Sequence, residues 1–263
     1  MKKILIIFLM VSSYIFSQGK KIERIVTLSP SITEMVIDLG EKDKIVGCDK
    51  FSKIHSNLMN IENSLDSNDI NEEKIIGLNP DLVIISEHNL IRGQNKIELL
   101  KELGIEVELI ENPKSVQEIG NSIEKIGKAL AQEERGEKLK TEYLNQLKEI
   151  KENDKNKSFY LQISSNPLFT SGNKTFLNSA LEHIGVKNIF QNGGTWFSPS
   201  LENILERNPD IIFVTSEREK NFLLTQGGLK DFFSEKKIIL LDENIVLPTP
   251  NIVNILKKLN NEI

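Results

Sequence analysis

The sequence predicts an α/β protein with two lobes, each a mostly parallel central sheet flanked by helices, joined by one long rigid helix. Three observations lead to this prediction. Short β-branched runs alternate with helical stretches, which is typical of parallel strands covered by crossover helices. A long stretch in the middle of the chain is helical and has no strand candidate. A segment before this stretch recurs after it at a constant offset of 129 residues.

The N-terminal lobe is expected to cover residues 20–113. A helix is predicted at Ser31–Leu39, where Ser31 and Glu34 form a capping box and Gly40 ends the helix. A further helix is predicted at Asn95–Leu103. The strand candidates are rich in β-branched residues and lie at Arg24–Leu28, Lys44–Cys48, Leu82–Ser86 and Glu106–Ile110.

The linker is expected at residues 114–153 and the C-terminal lobe at residues 154–263. Apolar stripes within 119–130 and 139–150, separated by a polar break, predict one or two helices in the linker, the second roughly 20 residues long. In the C-terminal lobe the strand–helix alternation resumes. Strands are predicted at Ser158–Ile163, Ile211–Thr215 and Ile238–Leu241, and helices at Thr175–Ile184, Leu201–Arg207 and from Asn251 onward.

The repeat compares residues 73–86, EKIIGLNPDLVIIS, with residues 202–215, ENILERNPDIIFVT. Each copy reads as a helix that ends at an Asn-Pro pair and is followed by a buried strand. Two such units on either side of a helical stretch indicate a bilobal protein. The alternative is that a common helix–turn–strand unit arose twice by chance.

Composition and charge exclude several classes of protein. The 263 residues are 39% apolar and 27% charged, which supplies a sizeable core and argues against disorder. The formal net charge of -5 argues against a nucleic-acid-binding protein, which needs a basic face. The single cysteine, Cys48, excludes disulfide scaffolds, thiolate zinc sites and iron–sulfur clusters, and we expect it to be a small core residue.

Residues 1–19 are predicted to be a secretory signal peptide. Lys2 and Lys3 form a positive start, and Ile4–Phe16 is a run of 13 residues interrupted only by Ser12 and Ser13. This run is too short for a bilayer-spanning helix, and a short membrane anchor is the alternative. Because no cysteine lies near the cleavage region, we expect no lipobox and a mature protein free in the periplasm.

Ligands of open parallel sheets bind beyond the carboxyl ends of the strands, so the segments that follow the strand candidates hold the candidate contacts. The candidate ligand-binding residues are aromatic or basic side chains in these segments: Phe51, Arg92, Phe169, Trp196 and Phe197. Each aromatic side chain could instead be a core residue.

Sequence signatures of catalysis are missing. The chain contains no G-x-S-x-G, H-E-x-x-H, GxxxxGK[ST] or G-x-G-x-x-G motif. The chain has only three histidines, so a metal site has few candidate ligands. We interpret Glu87 and His88 as solvated side chains of a loop. These absences do not exclude an enzyme but leave it without positive evidence, and we expect a protein that is not an enzyme, with no catalytic residues and no metal site.

Glu73 and Glu202 are equivalent in the repeat and are predicted to lie in the first turn of their helices, after the N-caps Asn71 and Ser200. Their simplest role is compensation of the helix dipole, worth about 0.3–1 kcal/mol each. The alternative is that one acidic residue from each lobe binds an equivalent basic site on a two-fold symmetric partner.

Four segments together resemble the substrate-binding proteins of bacterial ABC importers, specifically the helix-linked cobalamin and ferric-siderophore group. They are RIVTLSPSITE at 24–34, INEEKIIGLNPDLVI at 70–84, LQISSNPLFTSG at 161–172 and NIFQNGGTWFSPSLENILERNPDIIFVT at 188–215.

The resemblance implies a periplasmic monomer that captures a cobalamin-type corrinoid between its lobes and delivers it to the dimeric permease of an ABC importer. It implies that Glu73 and Glu202 dock onto permease arginines and that Phe169 and Trp196 contact the corrin. No resident cofactor and no nucleic-acid partner are implied.

Two departures from the family pattern leave the ligand open. The segment around Ser67 is polar where cobalamin binders have a tryptophan. The loop at 244–250, which is acidic and basic in those proteins, here reads NIVLPTP. Haem or a ferric siderophore is therefore an alternative ligand, and an anionic siderophore would have only Lys50, Lys53, Arg92 and Arg218 as cations. A free metal-ion receptor, an exported hydrolase and an adhesion module are further alternatives.

Overall fold

The computed structural model describes residues 21–55, 58, 61, 64–150, 157–225 and 230–263. The predicted signal peptide lies outside these residues. Two compact units are present. The first contains the described residues up to Ile110 together with Lys125–Gly136, and the second contains those of Glu111–Glu124 and Glu137–Ile263. No helix within the described part of the chain is both long enough and apolar enough to cross a membrane.

The first unit is built on a five-stranded sheet in the order β3-β2-β1-β4-β5, and every pairing in it is parallel. Its strands β1 to β5 are Ile25–Thr27, Ile45–Asp49, Ser64–Leu65, Leu82–Ser86 and Glu106–Ile110. Consecutive residues of β1 and β4 are all buried, as expected for strands covered by helices on both faces. Cys48 lies in β2 and is fully buried, which confirms its prediction as a core residue.

The α-helices described wholly within the first unit are α1 at Pro30–Asp38, α2 at Lys50–His55, α3 at Glu72–Gly77 and α4 at Glu87–Glu102. The predicted capping box of α1 is wrong. Ser29 is the N-cap, without a side-chain bond, and Pro30 takes the first helical position, where its missing N–H costs nothing. The helix predicted at 95–103 is the second half of α4, which bends at Gly93, where Ile70 packs against the backbone.

The connection between the units contains two helices rather than one long helix. They are α5 at Ile119–Ala129 and α6 at Glu133–Lys148, of 11 and 16 residues. The chain reverses at Ala131, which has a φ of 53°, and Gln132 N–H donates to the Gly127 carbonyl at 2.7 Å. A Cβ at Gly127 would lie 2.9 Å from the Gly136 Cα, so the glycine permits the close approach of the two helices.

The second unit has a four-stranded parallel sheet in the order β12-β11-β6-β9 and a small antiparallel sheet in the order β10-β8-β7. The strands β6 to β12 are Ser158–Gln162, Ser164–Ser165, Leu168–Ser171, Lys187–Asn188, Trp196–Phe197, Ile211–Val214 and Lys237–Leu240. The helices α7 to α11 are Phe176–His183, Leu201–Arg207, Glu217–Thr225, Lys230–Ser234 and Ile252–Glu262. From the sequence, the segments that form this small sheet are expected to be loops that follow the strands.

The two copies of the sequence repeat form the same substructure. In each, a short helix ends at an asparagine in the left-handed region, Asn79 with φ 47° and Asn208 with φ 44°, and a central strand follows. The β4 strand lies between β1 and β5, and β11 lies between β6 and β12. Asp81 accepts from the N–H groups of Glu23 and Arg24, which precede β1, and Asp210 accepts from Ser158 N–H at the start of β6. The fold class is therefore confirmed as parallel sheets flanked by helices.

Candidate functional site

Two aromatic rings stack on the small antiparallel sheet of the second unit. In the pairing of β10 with β8, Trp196 lies opposite Ser171. The rings of Phe169 and Trp196 are nearly parallel, with 16° between their planes and 6.3 Å between their centroids. Because Trp196 is 48% exposed, the pair presents a flat apolar surface to solvent.

Phe197 faces the opposite side of this sheet, because successive side chains of a strand alternate between its faces. Its ring meets Phe190 edge-on, with 5.2 Å between centroids and 87° between planes, and it packs on the core cluster of the second unit. The structure thus brings Phe169 and Trp196 together as a surface pair and places Phe197 beneath them.

The loop before Trp196 is held against the end of β8 by backbone contacts. Gly172 N–H donates to the Thr195 carbonyl at 2.5 Å, and Lys174 N–H donates to the Gly194 carbonyl at 2.8 Å. A Cβ on Gly172 would lie 2.5 Å from the Gly193 carbonyl carbon. Only a residue without a side chain fits, so this glycine sets the position of the loop that carries the tryptophan.

Asn188 secures the same region from inside the unit. Its buried amide nitrogen donates to the Ser171 carbonyl at 2.9 Å and to Asn178 Oδ1 at 2.7 Å. Its Oδ1 accepts from Phe190 N–H at 2.8 Å. The Asn188 side chain therefore links β8, α7 and the start of the loop that carries Trp196 through hydrogen bonds.

A buried carboxylate that the sequence analysis did not single out lies at the carboxyl end of β6. Glu219 is 5% exposed. Its Oε2 accepts from Gln162 Nε2 at 3.2 Å and its Oε1 from Ser165 Oγ at 3.5 Å. The Tyr160 hydroxyl donates to Gln162 Oε1 at 2.6 Å. Burial raises the pKa of Tyr160, and the nearby negative charge of Glu219 raises it further.

In the first unit, Phe51 follows β2 at the start of α2 and is 45% exposed. Its position is set by Asp49, whose buried carboxylate accepts from Phe51 N–H at 2.9 Å and from Ser52 N–H at 3.1 Å. The Ser52 hydroxyl also contacts this carboxylate and accepts from Thr33 at 2.8 Å. Lys50 Nζ lies 5.2 Å from the centroid of the Phe51 ring.

The carboxyl end of β4 leads into the first turns of α4. Arg92 and His88 are exposed there, and His88 Nε2 lies 2.9 Å from Asn68 Oδ1. Ile91, which the sequence analysis did not select, is 83% exposed. No group of three or more histidine, cysteine, aspartate or glutamate side chains within the described ranges is placed to hold a metal ion.

The N-caps predicted for the two repeat helices are confirmed. Asn71 Oδ1 accepts from Lys74 N–H at 2.8 Å, and Ser200 Oγ accepts from Asn203 N–H at 3.2 Å. Glu73 in α3 and Glu202 in α8 lie in the first turns of these helices, and both are exposed. The two carboxylates are therefore equivalent within their own units and accessible to a partner.

Comparison with known protein families and relatives identifies similar chains. The family model described as periplasmic binding protein matches residues 25–239 of this chain. YvrC of Bacillus subtilis, described as an uncharacterized ABC transporter substrate-binding lipoprotein, is 34% identical over 203 residues. That alignment covers 74% of this chain and 64% of YvrC, which is less than two thirds of its length. A vitamin B12-binding protein of Yersinia pestis is 26% identical over 202 residues, covering 75% of this chain and 71% of that protein.

Solved structures with the same fold support the family match. A protein of Staphylococcus epidermidis, described as a possible iron-binding (periplasmic solute-binding) protein, superimposes with a TM-score of 0.81 and 26% identity. This superposition covers 92% of this chain and 99% of that one. The periplasmic haem-binding protein RhuT of Roseiflexus superimposes with a TM-score of 0.76 and 20% identity, covering 91% and 97% of the two chains.

Proposed function

Because the chain belongs to the periplasmic binding protein family, we propose that it captures a bulky metal chelate of the cobalamin-type corrinoid class and delivers it to an ABC importer. The observation that carries this proposal is the stacked pair of Phe169 and Trp196, with the tryptophan half exposed. An exposed indole is costly in water unless a flat or apolar partner covers it.

The proposed ligand site consists of the segments that follow the strands, where open parallel sheets bind their ligands. In the second unit the proposed ligand contacts are the aromatic pair, and in the first unit they are Phe51 and Arg92. Phe197 would act indirectly, by supporting the sheet on which the pair lies. The ordered hydrogen bonds around Asp49 and Asn188 favour preformed binding segments, which reduces the entropy lost on binding.

Haem or a ferric siderophore is the second candidate ligand. It is favoured by the likeness to the S. epidermidis protein described as possibly iron-binding and by the apolar sequence of residues 244–250, which offers few polar partners to corrin amides. The flat macrocycle of a corrinoid or of haem can stack on this aromatic pair, and an octahedral ferric siderophore can pack against it, so the class of chelate must be decided by direct binding.

The ligand proposal is tested by titrating the purified protein with cyanocobalamin, haemin and a ferric siderophore. Trp196 is the only tryptophan, so its emission reports on the site. We expect quenching by at least one chelate, and an affinity roughly fivefold or more weaker by calorimetry for Trp196→Ala, because the lost stacking surface is worth about 1 kcal/mol or more. Leu103→Ala, an exposed apolar position at the end of the α4 helix, is the control and should bind normally. Absence of quenching and heat for all three chelates would refute the proposal.

Docking is proposed to use Glu73 and Glu202, since charged groups on a preformed surface steer a partner of opposite charge. The double variant Glu73→Arg/Glu202→Arg should abolish uptake while leaving chelate affinity unchanged. Glu102→Arg/Glu206→Arg reverses two other exposed glutamates, one on α4 and one on α8, and should transport normally. Uptake that survives in the first double variant would remove the docking role.

We also propose that the protein reaches the periplasm through cleavage of residues 1–19 and remains unlipidated there as a monomer. Recovery of a shortened, unmodified chain in the periplasmic fraction, measured by intact-mass spectrometry, is the expected result. A lipid adduct, or a chain that retains residues 1–19, would contradict it.

A further inference from the structure

The face of the small antiparallel sheet that carries Phe169 and Trp196 also carries Ser164. In the pairing of β7 with β8, Ser164 lies opposite Phe169. Directly opposed residues of antiparallel strands point to the same face of a sheet, with roughly 4.5–5.5 Å between their Cβ atoms. The strand order β10-β8-β7 puts Phe169 between the other two residues. Ser164 therefore borders the aromatic pair on the side away from Trp196.

The contacts of the next residue along β7 show which side of the sheet faces the core. Ser165 lies opposite Leu168. The Ser165 hydroxyl donates to the buried carboxylate of Glu219 at 3.5 Å, and Leu168 packs on the core cluster of the second unit. Because successive side chains of a strand alternate between its faces, the Ser164 side chain points away from this core.

The hydroxyl of Ser164 is available to a ligand. The residue is half-buried, and within the described part of the chain its hydroxyl has no hydrogen-bond partner, while its backbone carbonyl accepts from Gln162 Nε2 at 3.1 Å. Ser171 lies on the same face, opposite Trp196, but is fully buried. A serine hydroxyl can donate one hydrogen bond and accept two. Of these two serines, Ser164 is therefore the one that a molecule stacked on the aromatic pair can reach.

We propose that Ser164 is a specificity-determining residue of the ligand site, and that its hydroxyl donates to a carbonyl or carboxylate oxygen on a side chain of the bound macrocycle. This inference rests on the proposed function. A flat macrocycle carries its polar side chains at its rim, and one that stacks on Trp196 and extends past Phe169 brings this rim to Ser164. The amides of a corrinoid and the propionates of haem both supply the oxygen, whereas a macrocycle with only alkyl side chains does not.

The test measures the affinities of cyanocobalamin and haemin for the wild-type protein, Ser164→Ala and Ser165→Ala by calorimetry. Cyanocobalamin offers neutral amides and haemin offers propionates, so the two probes distinguish the sources of the oxygen. We expect Ser164→Ala to bind the macrocycle that the wild-type protein binds about two- to twelvefold more weakly, the equivalent of one net hydrogen bond. Ser165→Ala, which removes the neighbouring hydroxyl on the core face, should bind as the wild-type protein does.

A further probe separates a direct contact from an effect transmitted through the sheet. Ferric octaethylporphyrin is a flat macrocycle whose side chains contain no oxygen. Ser164→Ala should bind it as tightly as the wild-type protein does, and the emission maximum of Trp196 in the free protein should be the same in both. An equal loss of affinity for this porphyrin and for cyanocobalamin or haemin would indicate a changed sheet and overturn the inference.

The remaining outcomes distinguish this inference from the proposed function. Unchanged affinity of Ser164→Ala for the bound macrocycle would overturn the inference and leave the proposed function intact, and so would binding of a ferric siderophore alone by the wild-type protein. Equal weakening by Ser165→Ala would also overturn it, since the effect would not belong to the ligand face. Failure of the wild-type protein to bind cyanocobalamin, haemin or a ferric siderophore would refute the proposed function and the inference with it.

Discussion

Replacing Gly172 with alanine should displace the loop that carries Trp196 without changing any charge or hydrogen-bonding group. An alanine Cβ at this position would lie 2.5 Å from the Gly193 carbonyl carbon and 2.6 Å from both the nitrogen and the oxygen of Gly194. All three are backbone atoms, so the overlap cannot be relieved by rotating a side chain. The loop or the end of β8 must therefore move.

The energetic cost follows from the packing. Inserting one methyl group into a tightly packed site costs about 1–3 kcal/mol, and the shift of the loop should also weaken the stacking of Trp196 on Phe169, which is worth about 0.5–1.5 kcal/mol. We therefore expect a loss of about 1–3 kcal/mol in the free energy of unfolding. We also expect a change in tryptophan emission and in its quenching by acrylamide, and a roughly tenfold loss of chelate affinity, the equivalent of about 1.4 kcal/mol.

Urea denaturation followed by circular dichroism measures the change in stability, and fluorescence of the folded protein measures the displacement of Trp196. Gly77→Ala is the matched control, because a Cβ at Gly77 meets no atom within 4 Å and the residue lies in a helix. It should be neutral or stabilising by up to about 1 kcal/mol. If Gly172→Ala retains the stability and the tryptophan emission of the wild-type protein, the close approach does not set the position of the loop.

Three further predictions concern stability. Desolvation, with a smaller contribution from Glu34, raises the pKa of Asp38 to about 6, although this residue at the end of α1 is still exposed to solvent. Its ionisation therefore destabilises the folded state as the pH rises from about 4 to 6, and Asp38→Asn should stabilise the protein by about 1 kcal/mol at pH 7.5, allowing for solvent screening, with no gain at pH 4 in urea titrations. Tyr143→Phe should cost about 1–3 kcal/mol in the same assay, because it leaves the buried Val116 carbonyl without the hydroxyl that donates to it at 2.5 Å; an unchanged midpoint would contradict this. Asn71→Ala and Ser200→Ala should each cost about 0.5–2 kcal/mol through loss of an N-cap, whereas Asn71→Ser, which retains a capping oxygen, should keep most of the wild-type stability.

Much of the fold could be predicted from local sequence patterns. β-branched runs, Asn-Pro pairs and N-cap residues act over a few neighbouring positions, so they indicated the main strands and the two repeat helices before any tertiary contact was known. The start of α1 was misplaced because a proline at the first helical position competes with a capping box one residue later. The connection forms two helices because the polar break between its two apolar stripes contains Ala131, which adopts a positive φ.

The sequence predicted which residues could form the candidate site but not how these residues are arranged. The sequence indicated that aromatic side chains follow the strands, but the roles of Phe51, Arg92, Phe169, Trp196 and Phe197 in binding, and of Glu73 and Glu202 in docking, stay predictions. No local signal distinguished Trp196 from its neighbour Phe197, since both are aromatic and lie in the same short strand. Their opposite environments follow from the pairing of β10 with β8, which joins segments far apart in the chain.

The sequence by itself therefore determined the parallel α/β architecture and the internal repeat, because these depend on periodicity and short-range turn chemistry, and its resemblance to known substrate-binding proteins indicated the family. Tertiary structure alone decided which aromatic ring is exposed, how closely the glycine loop approaches β8 and that Glu219 is buried beside neutral donors. The physical reason is that burial and pairing arise from contacts between segments distant in the chain, and no pattern within a single segment specifies them.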